Sequence, residues 1–245
     1  MLEFYKESGL TPLEFINNIK KQYPDKKICY TARLDPMARG VVPVLFGEEC
    51  KQIHMYTNLN KRYEVKIILG YKTDTDDVMG LIENALSDNK LFDIKSSNFI
   101  EKYKSYFEIE NEITINQKFH YYSTKALLAR SKNNNEEYQH NVKLFSSKII
   151  DSGEINFTQW INNFCNIIKK VDNTKNFRQK EIIEQWQLML SDLPITIEKK
   201  IKYITLQLHA GSGFFVRQFI RDISDKIGIP LVCYDINRIS IDYIK

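Results

Sequence analysis

Apolar positions along the chain recur in two rhythms, one of three to four residues and one of two, and each predicts a different element. In "GLTPLEFINNIKKQY" (9–23), Leu13, Ile16 and Ile19, with Phe15 beside them, form a stripe at helical spacing. Thr11 can cap that helix, Pro12 suits its first position and Glu14 completes a capping box. "FFVRQFIRDISDKIG" (214–228) is the clearest helix: Val216, Phe219, Ile220, Ile223 and Ile227 share one face. Gly228 stops it and Pro230 follows, while Arg217 and Arg221 lie one turn apart on a side off the apolar stripe. "TQWINNFCNIIKKV" (158–171) and "KEIIEQWQLML" (180–190) read as two further amphipathic helices. Strict alternation marks two strands. In "RYEVKIIL" (62–69), Tyr63, Val65, Ile67 and Leu69 share one face, with Glu64 and Lys66 on the other. In "ITLQLHA" (204–210), Ile204, Leu206 and Leu208 do the same before "GSG" (211–213) breaks the run. The apolar run "VVPVLFG" (41–47) fits a buried strand fed by a loop.

Polar stretches separate these elements. "GYKTDTDDVMG" (70–80) lies between two glycines, and its acids predict a solvated turn. They lack the glycine and the distal Glu of a calcium loop. "SKNNNEEYQHN" (131–141) is nearly low-complexity and predicts a mobile loop. Residues 84–116 and 151–202 are rich in Asn, Lys, Ile and Glu. With no Pro/Gly-rich linker and no internal repeat, the simplest organisation is one α+β domain, residues 1–245, with helical excursions.

Composition narrows the class. The 245 residues are 43% hydrophobic and 12% aromatic, enough for a core, and this excludes global disorder. A net charge of +4 permits a polyanionic partner without requiring one. Cys29, Cys50, Cys165 and Cys233 fit no zinc spacing, and the four histidines are equally scattered, so no metal site is expected. GxxxxGK[ST], a GxGxxG after a strand, and G-x-S-x-G are all absent, which leaves nucleotide cradling and the serine-hydrolase elbow unsupported. The start "MLEFYKESGL" has no apolar signal core, and no stretch approaches the roughly 20 apolar residues of a membrane span. A soluble, cytoplasmic protein is the expectation.

"YTARLDPMARG" (30–40) places one acid between Arg33 and Arg39, with Pro36 directly behind it. Pro36 pushes Asp35 out of the helical region, so the carboxylate is presented on a turn. Two readings stand: a salt-bridged surface turn, or an acid kept ionised by nearby cations to act as nucleophile or base.

"RLDPMARGVVPVLFGEECK" (33–51) resembles the active-site segment of the TruB family of tRNA pseudouridine synthases, roughly G-x-L-D-P-x-A-x-G-V-L-P-x-x-x-G-x-A-T-K. "FYKESGLTPLEFINNIKK" (4–21) resembles that family's opening "LDKPxGxTS". "KRYEVKIILGYKTDTDDVMG" (61–80) resembles "KxYxVxxxLGxxTDTxDxxG", and "GSGFFVRQFIRDISDKIG" (211–228) resembles "SKGTYIRxLxxDLGxxLG". "QKFHYYSTKA" (117–126) echoes "QxPPxYSAxK". These segments keep family order and cover about half the chain; residues 84–116 and 151–202 match none of it.

The resemblance implies a pseudouridine synthase catalytic fold: a mixed, largely antiparallel sheet with flanking helices and a central active-site cleft. It implies a cofactor-free isomerase acting on RNA, by default at uridine 55 in the T loop of tRNA, and a monomer. The family's aspartate attacks the target nucleoside, on the ribose or the base ring. The N1 glycosidic bond breaks and the uracil is rejoined through C5. Asp35 matches that aspartate. Tyr63 matches the tyrosine that packs on the base and assists proton removal from C5; on pattern alone it is equally a core tyrosine. Arg217 matches the arginine that holds the aspartate; on pattern alone it is a solvated helix-face arginine. Tyr30, Arg33, Arg39, Lys61, Arg62 and Arg221 are candidates for RNA contact, the five cations being equally readable as generic surface charge. The chain also departs from the family. Tyr30 stands where bacterial members carry histidine, Arg33 and Arg39 replace small or hydroxyl residues, and Phe215 replaces a tyrosine. Phe119 and His120 replace paired prolines, Ser212 replaces a lysine, and no C-terminal RNA-binding PUA domain is expected. Three alternatives remain. One is a non-catalytic RNA-binding or RNA-folding protein, and another a guide-RNA-dependent synthase. The third is an interaction scaffold built on the unmatched helices, from which deletion of 158–190 would spare isomerisation.

Overall fold

The computed structural model describes residues 1–87, 90, 91, 98–118, 139–174, 176–191 and 199–243. Among them the alternating segments form one eight-stranded sheet. Its strands are β1 (Leu2–Lys6), β2 (Ile28–Tyr30), β3 (Arg39–Phe46), β4 (Lys61–Leu69), β7 (Ile113–Lys118), β8 (Gln139–Asn156), β9 (Lys200–Ala210) and β10 (Leu231–Ile241). The order is β1-β3-β10-β4-β9-β8-β7, with β2 added on β3. Every pairing is antiparallel except β3 with β10, which run parallel where Arg39 and Gly40 face Asn237 and Arg238. Gly40 has φ +123, and a side chain there would meet the Arg238 carbonyl oxygen at 2.3 Å, so only glycine lets these two strands close. A separate hairpin pairs β5 (Tyr71–Thr73) with β6 (Ile82–Ala85) and carries the 73–80 turn between them.

β4 is central, and its two sets of side chains enter two different cores. Val65, Ile67 and Leu69 join Leu206 and Leu208 under α1 (Pro12–Gln22), α2 (Phe99–Phe107) and α5 (Val216–Ile227), while Ile68 and Val232 project from the other face. That second face is covered by α3 (Phe157–Ile168) and α4 (Gln179–Ser191), which bring Trp160 and Trp186 onto Tyr71, with Phe164 against both tryptophans. The stretch 151–202, which resembled no family segment, thus covers Ile68, Tyr71 and Val232, and its two expected helices are α3 and α4.

Other expectations shift. Thr11 caps α1 and forms the capping box with Glu14 as expected, but the buried positions are Phe15 and Ile19, and Leu13 is 54% exposed. The stripe is centred one residue away from the one read off the spacing. Gln139, His140 and Asn141, expected in a mobile loop, open β8 instead; the rest of that loop, and Phe119 and His120, lie outside the described residues. No described helix is long and apolar enough to cross a membrane.

Candidate active site

The turn that carries Asp35 is held from beneath by two buried cations. Lys6, at the end of β1, points its ammonium at four backbone carbonyls: Ala38 at 2.7 Å, Asp35 at 3.1 Å, Glu7 at 3.2 Å and Pro36 at 3.4 Å. Arg238, on β10, donates to Val41 at 2.7 Å, Arg33 at 3.2 Å and Ala32 at 3.3 Å. Burial lowers the pKa of Lys6 to about 8, with the charge of Asp35 opposing the shift. Burial also lowers that of Arg238, opposed by Tyr63, with which it shares a side-chain hydrogen bond. Ala38 N–H closes the turn on the Asp35 carbonyl at 3.0 Å, and Gly9 N–H donates to Pro36 at 2.8 Å. The carbonyls of Ala32, Arg33, Asp35, Pro36, Ala38 and Val41 are thus tied, and this fixes the backbone from which the Asp35 side chain projects.

That side chain meets Arg217 of α5. Arg217 Nη2 lies 2.6 Å from Asp35 Oδ2; the aspartate is 53% exposed and the arginine 16%. The other arm of the guanidinium, Nη1, reaches Asp77 Oδ2 at 3.2 Å and the Thr75 carbonyl at 3.1 Å. Burial works against the charge of Arg217, but Asp35 and Asp77 together push its pKa above the ordinary value. Asp77 is buried, which raises its own pKa against the pull of Arg217. Its other oxygen accepts from Thr75 Oγ1 at 2.8 Å and Met79 N–H at 2.9 Å. The guanidinium is therefore oriented by a buried acid and offers its free edge to an exposed one.

The 73–77 turn is not solvated. Thr73, Thr75, Asp76 and Asp77 are all buried. Three acids of this segment each take a different arginine: Asp74 pairs with Arg178 at 2.5 Å, Asp76 with Arg221 at 2.7 Å, and Asp77 with Arg217. Burying carboxylates demands such partners. The expected solvated turn is overturned because its partners lie 104 to 145 residues away in sequence. Asp76 sits at φ +58, a left-handed conformation that aspartate tolerates better than most residues, and Gly80 packs so closely that a side chain would strike Thr75 Oγ1 at 2.4 Å.

Beside Asp35 opens a hollow of about 300 Å³, lined by Asp35, Pro36, Met37, Thr75, Asp77, Met79, Asn176, Phe177, Arg178 and Arg217. Tyr63 is not one of its walls. It is buried on β4, opposite Arg238 and Leu208, with its pKa raised by burial. Tyr30, on β2, is partly buried against the core. Arg33 is exposed beside the turn. Arg39 chelates Asp235 through Nε at 3.0 Å and Nη2 at 2.7 Å and donates to the Tyr5 hydroxyl. Lys61 is buried, bonded to the Leu59 carbonyl at 2.5 Å, and burial lowers its pKa to about 8; its ammonium does not face solvent. Arg62 is exposed, 3.4 Å from Asp242. Arg221 is engaged with Asp76. The structure thus brings Asp35 and Arg217 together, leaves Tyr63 buried off the hollow and bonded to Arg238, and leaves Arg33 and Arg62 as the exposed cations of the set.

Sequence reasoning passed over Lys6, Asp77, Arg238 and the Asn176–Arg178 corner. Arg238 had a signal: it occupies an inward position of the alternating strand "DINRISI", where an apolar residue is expected. Among the described residues no cluster of His, Cys, Asp or Glu is placed to hold a metal ion.

Comparison with known proteins matches residues 20–162 to the model of the TruB family pseudouridylate synthase N-terminal domain. A tRNA pseudouridine synthase B from Blochmanniella floridana is 42% identical over 77 residues, covering 31% of this chain and 30% of that protein. One from Ligilactobacillus salivarius is 25% identical over 245 residues, covering 98% of this chain and 66% of its own length. The chain thus spans less than two thirds of these relatives. Among solved structures, the crystal structure of a Cbf5-Nop10-Gar1 complex aligns with TM-score 0.50 at 14% identity, over 97% of this chain and 47% of that one, which shows a shared fold. With more than half of its 245 residues inside the family model, the chain belongs to the TruB family.

Proposed function

We propose that this protein is a tRNA pseudouridine synthase that converts a uridine, by default the T-loop uridine at position 55, into pseudouridine. The observation that carries this reading is the 2.6 Å contact between the exposed carboxylate of Asp35 and a guanidinium itself anchored on buried Asp77, at the edge of a hollow. An ion pair holds one carboxylate oxygen and leaves the other open to the hollow. Asp35 is the nucleophile: its free oxygen bonds to the nucleoside while the bond between N1 and C1′ breaks. The uracil turns, C5 bonds to C1′, the C5 proton leaves, N1 gains a proton, and the carboxylate is released. Atoms are conserved, and no cofactor is called for. Arg217 holds Asp35, and Tyr63 serves from behind, where its link to Arg238 joins it to the same turn.

The target base must leave its stack before it can reach Asp35, which costs about a few kcal/mol. Cations near the entry repay part of that by holding the backbone. Arg33 and Arg62, exposed and near the turn and β4, are suited to that; Lys61 is not. Residues 1–245 are read as one catalytic unit working on RNA as a monomer.

The test is pseudouridine mapping in a tRNA T-arm transcript treated with wild type or Asp35→Asn. Wild type is expected to modify one uridine and the variant none. Equal modification by both removes Asp35 from the reaction; modification by neither leaves an RNA-binding module.

A further inference from the structure

The hollow beside Asp35 has two walls. One is the Asp35 turn with the 73–79 segment. The other is Asn176, Phe177 and Arg178, at the corner between α3 and α4. This corner is tied to the catalytic residues. Arg178 grips Asp74 with both guanidinium nitrogens, at 2.5 and 3.2 Å, in the same turn whose Asp77 anchors Arg217. Its backbone is left-handed, φ +61, and its N–H donates to Asn176 Oδ1 at 2.9 Å. Strain of this kind persists only where surrounding contacts enforce it. The result is to hold Phe177 half-buried, packed on the α3–α4 core and facing the hollow together with Met37 and Met79. The hollow therefore has a flat apolar side and a charged floor of Asp35 and Arg217.

A flat apolar side over a polar floor suits a planar aromatic ligand with polar edges. We propose that the helical insert supplies a stacking wall: Phe177 takes the face of an unstacked RNA base lodged beside Asp35, and Arg178 is the positioning residue that fixes this wall to the catalytic turn. The proposal rests on the reading of the ligand as RNA. It assigns the insert a share in substrate binding that the resemblance does not supply.

The test separates binding from turnover. In an Asp35→Asn background, affinity for a T-arm hairpin is measured by fluorescence anisotropy, with thermal melting to verify the fold. Phe177→Ala is expected to weaken binding about tenfold, the effect of losing one aromatic stack. Phe177→Leu, which keeps apolar packing and serves if the alanine variant does not fold, is expected to weaken it nearly as much, and Phe177→Trp to restore it. With Asp35 intact, Phe177→Leu should raise KM and leave kcat within about twofold. Leucine binding as tightly as phenylalanine overturns the wall while leaving the synthase reading in place. If wild type modifies no uridine but leucine still weakens and tryptophan restores RNA binding, the synthase reading fails and the wall stands. A protein that binds no RNA overturns both.

Discussion

Lys6 and Asp77 show how much the Asp35 turn and its arginine depend on buried charges. In the unfolded chain Lys6 keeps its proton up to its ordinary value of 10.5; folded, burial releases it at about 8. Between those values the unfolded state binds more protons, so stability rises with pH across the window, and the burial penalty is fully present below it. Wild type should therefore gain on Lys6→Met, by up to about 3 kcal/mol, as pH rises from about 8 to 10.5. Urea unfolding of both proteins at the two ends of the window checks this, and a constant difference would refute it. Asp77 carries the opposite charge in the same neighbourhood. Removing it leaves Arg217 buried with one carboxylate, so Asp77→Ala should cost roughly 3–5 kcal/mol of stability. Asp77→Asn, which can still accept from Thr75 and Met79, should cost less while kcat falls because Asp35 is held less firmly. Chemical denaturation with single-turnover kinetics separates the two effects.

At the scale of elements, what could be read in advance was whatever a local pattern encodes. α5 and its stop at Gly228, β4, β9 and the Thr11–Glu14 capping box follow from spacing and cap chemistry alone. Thr11→Ala should accordingly lower stability by about 1 kcal/mol, read as a shift in the urea midpoint at unchanged slope. The centre of the α1 stripe was misplaced because Leu13 and Phe15 are both apolar, and only docking against β2 decides between them. The 73–77 turn was misread for a stronger reason. Acids next to one another predict solvent unless cations come to meet them, and here those cations are Arg217 and Arg221 of α5 and Arg178 just before α4. The pairing of Asp35 with Arg217 was legible only through the family resemblance, since nothing in the spacing of 35 and 217 brings them to 2.6 Å.

On the scale of the whole molecule, the sheet separates two cores, and the one under α3 and α4 is rich in aromatic rings: Tyr71, Phe157, Trp160, Phe164 and Trp186. Replacing residues 158–190 by a short turn would strip Ile68, Val232 and Tyr71 of cover, so the product should be insoluble and lack cooperative unfolding, instead of behaving as a trimmed enzyme. Soluble expression with a sharp melting transition would refute this. The scaffold alternative, in which that deletion spares isomerisation, sits badly with helices that both roof a core and wall the hollow. The strand that braces the Asp35 turn, β10, is also the last of the sheet to be made, and Arg238 follows the turn by about two hundred positions. While the chain is still emerging from a ribosome, the Asp35 bend therefore has Lys6 beside it but neither Arg217 nor Arg238. A nascent chain halted before residue 217 carries Asp35 without the guanidinium that holds it, so the carboxylate gains its fixed direction only once the last helix and strand of the fold have been made.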